Sequence, residues 1–171
     1  MATVQGWRGN AFEDFQIGDT YIHGLGRTVL SADNSWFTQL TLNTNAVHFD
    51  HHYASQTEFG RALVNSCFTL ALVTGISVTD ISQNAMANLG WDEVRLPAPV
   101  FEGDTIYART EILSKRESKS KTNVGIVDIR TEGFNQDGTT VISFRRTIMV
   151  YKSAFLPPTA ATRLVERDRP T

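Results

Sequence analysis

The pattern of apolar and polar positions divides the chain into a helical part followed by a strand-rich part. "TYIHGLGRTVL", which follows the turn-forming Gly18-Asp19, reads as a first strand. In "SADNSWFTQLTL", Ser31 can cap a helix and Asp33 suits its first turn. Trp36, Phe37 and Leu40 then make one apolar face at helical spacing, and the helix is expected to stop near Asn43. "NSCFTLALVTGISV", from Asn65 to Val78, is apolar nearly all round, the pattern of a helix buried on every side.

Strands follow. In "TIYARTEIL" the residues Ile106, Ala108, Thr110 and Ile112 share one face. "KTNVGIVDIRTEGF" and "TVISFRRTIMVY" are long strand candidates joined through "NQDG", whose Asp-Gly signals a hairpin. The apolar phase slips between Ile126 and Val127, which predicts a bulge or a change of face. "SKRESKSK" reads as a solvated hairpin tip, and "PPTAATRLVERDRPT" as a surface tail. One buried helix followed by long antiparallel strands predicts an α+β fold with a curved sheet wrapped around the helix. The exposed edges of such a sheet make a homodimer, or a multiple of dimers, the expected assembly. Neither a repeat nor a low-complexity segment divides the chain. A single domain over 1–171 is expected, with an N-terminal arm to about residue 11 and a C-terminal tail from about residue 152.

Charge narrows the choice of partners. The 16 Lys and Arg against 18 Asp and Glu leave no general basic field for nucleic acid, and no basic amphipathic helix points to a membrane surface. Cys67 is the only cysteine, which excludes an intramolecular disulfide and a multi-cysteine metal centre. The N-terminus lacks the apolar core of a signal peptide, and the longest apolar stretch, around "FTLALVTGISV", is too short to span a bilayer. A cytoplasmic protein is expected.

The candidate chemistry lies in "NTNAVHFDHH", residues 43 to 52, which holds three of the 4 histidines. His48, Asp50 and His52 would converge on a metal if the segment were extended. The Tyr53-Ala54 that follows looks instead like a helical turn, which places His51 and His52 at the surface. Asp50 then caps that turn or steadies His48. Imidazole can take a proton and return it near neutral pH, so His48 is the candidate acid–base group. Cys67, at the start of the apolar helix, is expected to act as a small buried hydrophobe.

A helix, then N-x-N-x-x-H-x-D, then "TEFGRALVNS" opening the apolar helix, then "PVFEGDTIYARTEIL", resembles the MaoC-like (R)-specific enoyl-CoA hydratase family over roughly residues 12 to 151. The stretch from Val64 to Thr105 further resembles the branch associated with mesaconyl-CoA and itaconyl-CoA. The resemblance implies a hot-dog fold, an acyl-CoA substrate, and no cofactor or metal. In that family an aspartate and a histidine hold a water, and an amide at the start of the central helix polarises the thioester carbonyl. Carried over, His48 is the histidine, Asn45 the intervening asparagine, and Asn43 stands where the aspartate is expected. An amide can orient water but cannot take its proton. The backbone N–H of Ser66 becomes the oxyanion donor, while Asn45, Asn65, Glu58 and Arg61 are candidate substrate contacts. Glu58 is also a candidate replacement for the missing base, and Arg145-Arg146 a candidate for the phosphates of coenzyme A.

The expected reaction is hydration or dehydration of a 2-enoyl-CoA. Two other readings stand beside it. One is a hot-dog thioesterase, which would want a carboxylate in the central helix. The other is a non-catalytic acyl-CoA binding module.

Overall fold

A computed structural model describes residues 6–158. Six strands form one antiparallel sheet: β1 (Thr20–Ile22), β2 (Arg27–Thr28), β3 (Ala85–Arg95), β4 (Thr105–Glu117), β5 (Val124–Phe134) and β6 (Thr140–Tyr151). The order across the sheet is β1-β4-β5-β6-β3, with β2 also paired to β4. The helices are α1 (Ser31–Leu40), α2 (His51–Ser55) and α3 (Ser66–Ile76), and a π-helical turn at Val78–Ser82 follows α3. The sheet curls around α3, which is the hot-dog arrangement.

The strand faces follow the alternation of the sequence. Ile106, Ala108, Thr110 and Ile112 of β4 are all buried; Ile106 and Ala108 cluster with Val73 of α3, and Ile112 with Phe12 and Phe15. The β5–β6 hairpin turns through Asn135–Gly138, with Gly138 at a φ of 77. The expected irregularity near Ile126 takes another form. β5 pairs with β6 without a break from Val124 to Gly133, and Ile126 and Val127 are buried on opposite faces. The register shift lies in β4, between Ile112 and Ser114, opposite Ile129 and Asp128. Gly133 lets α3 lie close on β5, since a Cβ there would come within 2.6 Å of Val73.

Three features differ from expectation. β3, which has little alternation, is an edge strand with three register shifts against β6. α3 is buried on one side only: Thr69 and Val73 face the sheet, while Cys67, Ala71 and Gly75 form an open stripe of small residues. The sheet curls over one side of the helix, and among the described residues nothing covers the other. Cys67 is therefore exposed, not a buried hydrophobe.

The third difference is the face of α1. Its buried residues are Asn34 and Thr38, while Trp36 and Leu40 are 71% and 75% exposed. Polar groups point inward because each finds a hydrogen-bond partner there, as detailed below. Ser31 is the first helical residue, not the cap. The Asp33 carboxylate instead reaches back to accept the Leu30 N–H at 3.0 Å and holds Arg27 at 2.7 Å. The helix ends in a Schellman motif, with Leu42 N–H on Gln39 O and Asn43 N–H on Thr38 O, both at 3.0 Å. Leu42 takes the left-handed position, at a φ of 57.

Among the described residues the interior has two large apolar clusters, and a small third one of Val47, Ala54 and Ala62 under the His48 loop. One large cluster gathers Val64, Val73, Ile106 and Phe144; the other gathers Phe12, Phe15, Ile129 and Ile148. Buried polar groups lie between these clusters. His23 bonds Asp80 at 2.7 Å and Thr110 at 2.9 Å, and Thr110 bonds Thr131 at 2.9 Å. Arg146 donates to Ser77 and Ser82 at the C-terminal end of α3, where burial pushes its guanidinium down to about 10. The described part of the N-terminal arm is tied to this end, with Asn10 donating to Asp80 O at 2.8 Å. The expected C-terminal tail lies, from residue 159 on, outside the described residues.

Candidate active site

Much of the polar character of residues 43 to 52 is used in building the loop. Asn43 Oδ1 accepts the Asn45 N–H at 3.0 Å, and Asn45 Oδ1 accepts the Val47 N–H at 3.4 Å. These Asx turns start the 3-10 turn Ala46–His48. Asp50 caps α2 by accepting the Tyr53 N–H at 2.9 Å. His51 and His52 are exposed, and among the described residues no three His, Cys, Asp or Glu side chains converge to hold a metal.

His48 is different. It is 7% exposed, and its Nδ1 lies 2.8 Å from the carbonyl of Leu63. A carbonyl can only accept, so Nδ1 carries the hydrogen and Nε2 of the neutral ring is a bare acceptor. Among the described residues no protein group bonds Nε2. The fold thus presents one nitrogen as a base and uses the other to fix the ring.

Leu63 also links His48 to α3. Two residues on, Asn65 caps the helix by accepting the Cys67 N–H on Oδ1 at 3.0 Å, and its Nδ2 donates to Thr38 Oγ1 at 3.2 Å. Ser66 is the first residue of α3, so its N–H has no acceptor within the helix. Ser66 lines an apolar cleft with Phe59, Leu63, Thr69, Leu96 and Pro99. The positive end of the α3 dipole lies at the same place.

Asn34 holds this arrangement together. It has no solvent exposure, and its Oδ1 accepts the Asn65 N–H at 3.0 Å. Its Nδ2 approaches His48 O at 2.7 Å, Leu63 O at 3.1 Å and Glu102 Oε1 at 3.2 Å. The reading of the sequence missed Asn34 and its neighbour Thr38. The available signal was two polar residues four apart on α1, opposite Trp36 and Leu40.

The remaining candidates are dispersed. Glu58 is exposed and bonds none of these groups. Arg61 is exposed and stacks over the Phe101 ring, 3.8 Å from its centroid. Arg145 faces outward and pairs with Glu93 at 3.4 Å, while Arg146 lies at the far end of α3.

A model of the mesaconyl-CoA hydratase family matches residues 3–162. The chain belongs to that family. It is 35% identical to the mesaconyl-CoA hydratase of Cereibacter sphaeroides, over 92% of this chain and 46% of that protein. It is 34% identical to the β-methylmalyl-CoA dehydratase of Chloroflexus aurantiacus, over 84% of this chain and 41% of that protein. A solved MaoC-domain protein from Chloroflexus aurantiacus superimposes with a TM-score of 0.83 at 32% identity, covering 94% of this chain and 45% of the other. The chain thus spans less than half the length of each of these relatives. The family match takes in the whole network from Asn34 to Glu102.

Proposed function

We propose that the chain is the catalytic unit of a hydro-lyase, adding water to or removing it from the double bond of a 2-enoyl-CoA thioester. The acyl group of this substrate carries a second carboxylate, as a mesaconyl group does. The observation that carries the reading is a single carbonyl, that of Leu63. It fixes His48 as an Nε2 acceptor, and it lies three residues before the free N–H of Ser66.

In the hydration direction, a water sits between His48 Nε2 and the Asn43 side chain. Asn43 Oδ1 is committed to Asn45, so Nδ2 is the group left to donate to the water oxygen. The water oxygen bonds to C3 while its proton passes to Nε2, and the C2–C3 π pair moves toward the thioester oxygen. Ser66 N–H and the α3 dipole stabilise the enolate oxygen; a single oxyanion donor of this kind contributes about 3 kcal/mol. The imidazolium keeps its Nδ1–H bond to Leu63 O and returns the proton to C2 as the carbonyl re-forms. Dehydration is the same sequence reversed. The stretch from Asn65 to Ile76 has no carboxylate to serve a thioesterase.

The assembly is part of the same proposal. The open stripe of α3 and the edge strand β3, with Leu89 and Trp91 exposed, suit a second copy that extends the sheet and covers the helix. A lone Cys67 calls for no oxidising compartment, and a cytoplasmic location is proposed with the rest.

The test is to follow mesaconyl-CoA and crotonyl-CoA by loss of enone absorbance and by release of free thiol, with wild type and His48→Ala. Loss of the double bond with the thioester intact, slowed about a hundredfold or more in His48→Ala, is expected. Thiol release would indicate a thioesterase, and no change in either signal a binding module.

A further inference from the structure

A CoA thioester is strongly anionic, and the acyl group proposed here adds a carboxylate. The structure distinguishes the arginines that could receive such charge. Arg27 is engaged by Asp33 at 2.7 Å. Arg145 and Arg130 share Glu93, at 3.4 Å and 3.9 Å, on the outer face of the sheet. Arg95 donates to the Val94 carbonyl at 3.0 Å, and Arg146 is buried at the C-terminal end of α3. Among the described residues Arg61, like Arg8, Arg95 and Arg116, has no carboxylate partner, and of these only Arg61 is stacked on an aromatic ring.

Arg61 stands beside the cleft, next to residues that line it. It lies in a bend two residues before Leu63, which lines the cleft. Leu63 bridges Phe101, and Val64 N–H bonds Val100 O at 2.9 Å. The segment Leu96–Val100 lines the cleft together with Phe59, Leu63 and Ser66. Phe101 meets the Phe59 ring edge-on at 6.4 Å and carries the Arg61 guanidinium at 3.8 Å from its centroid. Stacking restrains the long side chain and occupies one face of the guanidinium. It leaves the N–H edge free, and that edge matches a carboxylate or phosphate bidentately.

We infer that Arg61 is the anion receptor of this cleft, binding an oxyanion of the thioester through its free edge; this rests on the hydro-lyase reading above. Two groups of the substrate offer that chemistry, the second carboxylate of the acyl group and the phosphates of coenzyme A. Phe101 is the platform that holds the receptor in place.

The experiment compares wild type, Arg61→Gln and Arg61→Lys on mesaconyl-CoA, crotonyl-CoA and the neutral N-acetylcysteamine thioester of crotonate. Arg61 is exposed, so the variants should fold, which thermal melting verifies. Arg61→Gln should raise KM roughly ten- to a hundredfold on an anion-bearing substrate, with kcat changed much less. Arg61→Lys should recover only part of the loss, because it keeps the charge without the fork. A rise confined to mesaconyl-CoA assigns Arg61 to the acyl carboxylate. A rise on both CoA esters, absent from the neutral thioester, assigns it to a phosphate. An equal rise on all three, or on none, overturns the inference while leaving the hydro-lyase reading intact. Wild-type protein inert toward all three overturns that reading, and the assignment of Arg61 falls with it.

Discussion

The side-chain amide of Asn34 donates to the backbone carbonyl of His48 at 2.7 Å, from a position on α1 with no solvent exposure. The same amide group touches Leu63 O and accepts from Asn65 N–H. A single side chain outside the histidine-rich motif therefore sets both the loop that carries the base and the helix end that carries the oxyanion donor. Removing it leaves buried backbone groups unpaired, at about 1–3 kcal/mol each. Asn34→Ala should lower the unfolding free energy by roughly 2–4 kcal/mol in urea. It should also lower kcat at least tenfold, with a smaller change in KM. Stability within about 0.5 kcal/mol of wild type would show the network to be slack.

Asn43→Asp keeps the oxygen that accepts the Asn45 N–H and replaces the free amide nitrogen with anionic oxygen. For a substrate with a carboxylate near C3 the new charge should repel, raising KM on mesaconyl-CoA by about tenfold. On crotonyl-CoA the change should be neutral or favourable, since the wider family's aspartate is restored. Equal effects on the two substrates would remove charge selection from the role of Asn43. Asn43→Ala should lower kcat by about one to two orders of magnitude on both through lost positioning of water.

Leu42 closes α1 at a φ of 57 while 86% exposed. A branched side chain pays about 1 kcal/mol for the left-handed conformation, and glycine does not. Leu42→Gly should therefore stabilise by about 0.5–1 kcal/mol, read as a higher melting temperature. A lower melting temperature would show that the exposed side chain makes a contact in solution.

Acid should unfold the protein through identifiable carboxylates. Burial alone would raise Asp128, but hydrogen bonds from Thr147 and Ser114 and the charges of Arg145 and Arg116 hold it below its ordinary value. Asp33 is likewise held low against its own burial, by the Leu30 N–H and Arg27. A carboxyl depressed in the folded state contributes fully above its unfolded value of about 4, and the contribution is lost as pH falls through the folded value. The drop in melting temperature between pH 7 and pH 3 should be smaller in Asp128→Asn than in wild type. An unchanged drop would remove Asp128 from the acid response.

The open stripe of α3 should be covered in solution. Light scattering at micromolar concentration should return a dimer or a multiple of dimers, and Ala71→Glu, which places a charge in the stripe, should yield monomer with impaired turnover. A monomeric wild type would refute the proposed assembly.

Much of this architecture was readable from patterns with a local cause. β4 alternates because one face is turned into the core, the hairpin follows from Asp137-Gly138, and Asp50 caps α2 because its side chain reaches Tyr53 N–H. What escaped depends on distant partners. Trp36 and Leu40 look like an inner face until Asn34 and Thr38 find acceptors and donors on segments far along the chain. β3 has no clean alternation, because its register shifts re-aim its side chains. The one-sided burial of α3 is invisible in a segment apolar all round, since composition does not say which side the sheet covers. The motif located the loop of His48; the residue that positions it lay in the preceding helix.

The aromatic pair Phe12 and Phe15 bears on how the protein is made. A Cβ on Gly125 would lie 2.2 Å from the Phe12 ring, so the turn Phe12–Asp14 is seated directly on β5. Phe15 has no exposure in the finished fold, and its cluster includes Ile129, Ile148 and Val150. On a ribosome these partners appear roughly ten seconds after the aromatics they cover, at ordinary rates of synthesis. For that interval Phe12 and Phe15 have only the nearer members of their cluster, Tyr21, Ile81 and Ile112, to shield them. A translation product halted before β6 is therefore an open half-core prone to association.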